Sequence, residues 1–67
     1  MLQPEQEIQQ VKQRIAAVYA QREALKLALE QGGLTPRAGF AHLEATDQEL
    51  SGLDSRFKQL WDAALAN

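Results

Sequence analysis

Between Gln31 and Arg37 the chain reads Gly-Gly-Leu-Thr-Pro, and this run splits an otherwise helix-forming sequence of 67 residues near its midpoint. A glycine after a helix supplies the left-handed residue that ends it. Thr followed by Pro supplies an N-cap and a first-turn residue whose φ is already helical. The sequence therefore predicts one helix from about Pro4 to Gln31, a turn at residues 32–35, and a second helix from about Pro36 to Ala64. Leu65 and Ala66 lie beyond the apolar pattern and are expected to fray with the C-terminus. The expected fold is all-α: a single domain over residues 1–67, folded as an antiparallel two-helix hairpin with coiled-coil-like packing.

The apolar spacing tests this arrangement. In the first half, Ile8, Val11, Ile15, Val18, Leu25 and Leu29 alternate by three and four, with one interruption at Arg22. The second half answers with Leu43, Leu50, Leu53, Phe57, Leu60 and Ala64, interrupted at Thr46 and preceded by Gly39. In an antiparallel hairpin, facing residues stand at equal distances from the turn. Ile8 and Leu60, Val11 and Phe57, Ile15 and Leu53, Val18 and Leu50, and Leu25 and Leu43 are each equidistant from Leu34. So are the two polar interruptions, Arg22 and Thr46, which are expected to share one layer. Leu29 then faces Gly39, and close approach of the chains beside the turn explains a helical glycine that costs roughly 1 kcal/mol relative to alanine.

The flanking charges agree with this register. Lys12 is expected to reach Asp54, Lys26 to reach Asp47, Glu7 to reach Arg56 and Arg14 to reach Glu49. Exposed pairs of this kind contribute ~0.5 kcal/mol each, so they serve mainly to specify orientation. An antiparallel dimer exchanging its second helices satisfies the same pairings.

Composition excludes several classes of function. At 45% hydrophobic and 24% charged residues the chain is too apolar for disorder and too charged for a membrane span. Four acids balance four bases in residues 1–33, and five acids meet three bases in residues 34–67, so no basic face gathers for nucleic acid. The N-terminal residues show neither the basic nor the apolar region of a cleavable signal, and the expected location is cytoplasmic. With no cysteine and a single histidine, His42, no metal or cofactor site is expected. No acid and base share a desolvated cleft, and Ser51 and Ser55 have no adjacent base, so no enzyme activity is expected.

Function then falls to the outer faces. Ala17, Ala20, Ala24 and Leu27 form a second stripe on the first helix, away from the seam, suited to docking another helix, although alanine also fills exposed helical positions cheaply. Gly52 sits among Ala41, Ala45 and Ser55 on the outer side of the second helix, where close approach of a partner would explain it. Tyr19, Phe40 and Trp61 fall on one flank, where a two-helix seam covers them only in part. These eight residues, Ala17, Tyr19, Ala20, Ala24, Leu27, Phe40, Gly52 and Trp61, are the candidate partner-binding set. A chain near 60 residues buries only about 60% of its unfolded surface, which makes a partner physically expected.

The stretch Gly33, Leu34, Thr35 and Pro36, followed by Phe40, Leu43, Leu50, Leu53, Phe57, Gln59 and Leu60, resembles the small E-type needle co-chaperones of bacterial type III secretion, the YscE, PscE and AscE group. The resemblance spans residues 15–62 and extends to chain length, the glycine-containing turn near the middle, and the spacing of aromatic and leucine residues; Gly39 looks like an insertion relative to some members. It implies a cytoplasmic binding module that pairs with a larger tetratricopeptide-like chaperone, the pair keeping a needle subunit soluble before export. The alternative compatible with the same residues is a homodimeric four-helix bundle acting as a structural or adaptor protein.

Overall fold

The computed structural model describes residues 3–66, which form two helices, α1 at Pro4–Glu30 and α2 at Pro36–Ala66. They pack against each other as a hairpin of 49 × 17 × 15 Å. Helix α1 opens with extended Gln3, whose N–H donates to Gln6 Oε1 at 3.3 Å, and with Pro4 in the first turn, where no donor is needed. Glu5 and Glu7 place negative charge beside the positive end of the helix dipole.

The turn forms as its residues dictate. Gly32 takes a left-handed φ of 76°. The Gly32 N–H donates to Leu29 O at 3.3 Å and the Gly33 N–H to Ala28 O at 2.8 Å, the paired bonds of a Schellman motif that satisfy two otherwise orphaned carbonyls. Gln31, expected inside the helix, is its C-cap. Thr35 then caps α2, its Oγ1 accepting from the Ala38 N–H at 3.3 Å and its carbonyl from the Gly39 N–H at 2.9 Å. At the far end, Leu65 and Ala66 are helical rather than frayed, since Ala63, Ala64, Leu65 and Ala66 are all strong helix formers.

Every seam position named from the sequence is buried or half-buried. Ile8, Val18, Leu50 and Leu60 form the buried core, with Val18 fully enclosed at mid-length. Two helices cover one another on one stripe only, so the remaining seam side chains stay partly in water. Arg22 and Thr46 are half-buried in the positions expected, but they do not bond to each other. Thr46 Oγ1 donates back to His42 O at 2.8 Å, and Arg22 Nε donates outward to Asp47 Oδ1 at 2.9 Å.

Two of the four expected ion pairs form: Arg56 Nη2 to Glu7 Oε2 and Arg14 Nη2 to Glu49 Oε2, both at 2.7 Å. The other two do not. Asp47 is taken by Arg22, which lays its apolar stem along the seam and extends a planar fork to the edge, a reach that lysine makes less well. Lys26 turns instead to Glu23 on its own helix at 3.5 Å. Lys12 and Asp54 remain unpaired among the described residues, because an exposed pair gains little against the entropy of fixing two long side chains.

Candidate functional site

An antiparallel hairpin has two flanks, and the sequence makes them unlike. The glutamates and arginines at positions 7, 14, 49 and 56 clasp the helices together along one flank. Along the other flank stand Tyr19, Phe40 and Trp61, exposed at 51%, 64% and 50%. These aromatics stand at flank positions, where the two-helix seam covers them only in part.

Three shallow grooves join on the aromatic flank. The central one, about 670 Å³, lies between Tyr19, Leu50, Ser51, Asp54 and Phe57. Towards the turn it shares Asp47 and Ser51 with a groove of about 540 Å³ bounded by Phe40, Leu43 and Arg22. Towards the chain ends, the Phe57 ring stacks on Trp61 with centroids 6.1 Å apart and planes at 19°. Trp61 then opens a third groove of about 210 Å³ with Ile8, Ala64 and Leu65. The small side chain of Ser51 leaves the centre of this strip low, and the aromatics raise its ends.

One ion pair lies within the strip, Arg22 with Asp47 across the two helices. The hydrogen bond that Arg22 donates to the Asp47 carboxylate, reinforced by that carboxylate's negative charge, raises the Arg22 guanidinium above its ordinary range, so Arg22 and Asp47 act as a neutral pair at the groove margin. The opposite flank holds a groove of about 430 Å³ between Gln21, Ala24, Leu25, His42 and Ala45. His42 is exposed there. Among the described residues, no three His, Cys, Asp or Glu side chains gather as metal ligands, and no helix is long and apolar enough to cross a membrane.

The candidate partner-binding residues are thereby sorted onto different faces. Tyr19, Phe40 and Trp61 share one strip. Ala24 lines the opposite flank, while Ala17, Ala20 and Leu27 are exposed on α1, Leu27 at 52%. Gly52 is exposed, and a Cβ there would meet nothing within 4 Å, so no contact inside the chain demands a glycine. Phe57 and Leu65 belong to the aromatic strip but lie outside the candidate set: Phe57 fills a seam position and is half-buried, and Leu65, 71% exposed, lies past the seam. The heptad position of Leu65, next to Trp61 on one helical face, was the available signal.

Tyr19, Phe40, Trp61 and Leu65 stand exposed on one side of an extended hairpin, an arrangement suited to binding another protein, because large apolar side chains are costly to leave in water and Tyr and Trp recur at interfaces. No family model matches the chain, and no curated protein or solved structure shows a significant match to it.

Proposed function

We propose that this hairpin is a cytoplasmic helical binding module that acts as an E-type co-chaperone, pairing with a tetratricopeptide-like protein that in turn keeps a secretion needle subunit soluble. The observation that carries the binding role is the aromatic strip: four large apolar side chains stand half or more exposed beside four buried ones among the described residues. A helical-repeat partner offers a concave, helix-lined surface that would cover such a strip and lengthen the thin core beneath it. The resemblance of residues 15–62 to the E-type group supports the identity of that partner.

The test is affinity capture of the tagged full chain from its native cytosol, with mass spectrometry of the bound proteins. Recovery of a tetratricopeptide-like protein together with a small needle-type subunit is the expected result, and Trp61→Ala should reduce that recovery at least tenfold, as loss of an interface aromatic does. Capture of the same proteins by wild type and by a Tyr19→Glu, Trp61→Glu double variant alike would remove the strip from the interaction.

A further inference from the structure

Along the aromatic flank, α2 presents Phe40, Glu44, Asp47, Ser51, Asp54, Lys58 and Trp61 at alternating steps of four and three, and this order is a palindrome in chemical type. Aromatics stand at both ends, a charged residue of opposite sign next at each side, an aspartate inside each of those, and a serine at the centre. From the structure we infer that the flank docks a second copy of this chain, turned by a two-fold axis that passes beside Ser51, to give an antiparallel four-helix bundle.

Such an axis brings like elements together end for end. Phe40 of one copy then meets Trp61 of the other, and Glu44 meets Lys58. Neither Glu44 nor Lys58 has an ion-pair partner among the described residues, so each is available for the other. Ser51 meets Ser51 at the axis, where the central groove of about 670 Å³ lets the helices approach. On α1, Tyr19 lines the same groove as Ser51, about half a helical turn nearer the loop, and would stand beside its own equivalent across the axis. Two like-charge meetings arise, Asp47 against Asp54 on α2 and Lys12 against Lys26 either side of Tyr19 on α1; each is partly offset, because Arg22 is already bonded to Asp47 and Lys26 to Glu23.

The exposed area fits the same occupant. A compact monomer of this mass, 7.5 kDa, exposes about 4,250 Å² by the usual size scaling. This hairpin exposes 5086 Å². The surplus of roughly 800 Å² belongs to the elongated 49 × 17 × 15 Å shape as a whole and is of the size that each partner buries in a standard complex.

The inference rests on the aromatic flank being a protein-binding surface, and on nothing about which other protein uses it. Because the chain has no cysteine, Ser51→Cys introduces a single thiol. Under mild oxidation the full-length Ser51→Cys chain should form a disulfide-linked dimer rapidly, since only a residue beside the axis meets itself, and Ala45→Cys on the opposite flank should not. Sedimentation equilibrium of the wild type should show a monomer–dimer equilibrium. Glu44→Lys and Lys58→Glu should each weaken dimerisation about tenfold, and the double exchange should restore it. A wild-type chain that stays monomeric up to millimolar concentration overturns the inference, as does preferential cross-linking at Ala45→Cys. A monomer that still captures a tetratricopeptide-like protein removes the dimer and leaves the co-chaperone reading standing. A dimer that captures nothing does the reverse.

Discussion

Leu29 occupies the space in which Gly39 would carry a side chain: a Cβ at Gly39 would stand 2.5 Å from Leu29 Cγ and 2.9 Å from Leu29 Cδ1. The hairpin is thus closed beside its turn by a leucine folded over bare backbone. Gly39→Ala should destabilise the chain by about 1 kcal/mol, overpacking outweighing the gain in helix propensity. In the Leu29→Ala background the same substitution should become stabilising. Urea unfolding of the four chains measures the coupling, and simple additivity would count against the contact.

Gly52 is the opposite case. Its Cβ position is open, so Gly52→Ala should raise stability by roughly 1 kcal/mol through helix propensity alone. A thermal melt followed by circular dichroism checks the sign. A fall in melting temperature would mean that something crowds Gly52 in solution, such as a second chain.

At Gly32 the backbone itself decides. With φ at 76°, Gly32→Ala should cost about 1 kcal/mol, the price of placing a Cβ in the left-handed region, although no neighbouring atom lies within 4 Å of that position. Gly32→Asn, which tolerates this region better, should lose less. Equal losses for both would point to a cause other than backbone strain.

Double-mutant cycles separate the ion pairs that form from the one that does not. Arg14 and Glu49 should show a coupling of a few tenths of a kcal/mol to about 1 kcal/mol, reduced by salt, and Lys12 and Asp54 should show none. A Lys12–Asp54 coupling as large as that of Arg14–Glu49 would contradict the observed geometry.

Much of this fold was legible in the sequence because its two signals are independent and agree. Gly32 and Thr35 each have one local task, and the seam residues repeat with a period that only one register satisfies. What could not be read was the choice among competing surface partners. Asp47 lay within reach of both Lys26 and Arg22, and the outcome turned on the reach and planarity of a guanidinium, a difference small beside thermal energy at an exposed site. The binding strip was half legible for a similar reason. Tyr19, Phe40 and Trp61 declare themselves by being aromatic at flank positions, but Phe57 serves the seam and the strip at once, and a single seam assignment hides the second role. The stripe Ala17, Ala20, Ala24 and Leu27 follows helical spacing as well as the aromatics do, and its small side chains read equally as a docking face and as cheap helix formers.

The Schellman turn at Gly32 also gives the chain a folding direction. Contacts next to it, such as Leu29 with Gly39, close the shortest loops and lose the least chain entropy, whereas Ile8 and Leu60 close the longest and lose only slightly more. Each pairing formed shortens the loop that the next must close, so chain entropy favours growth of the seam from Gly32 towards Pro4 and Ala66.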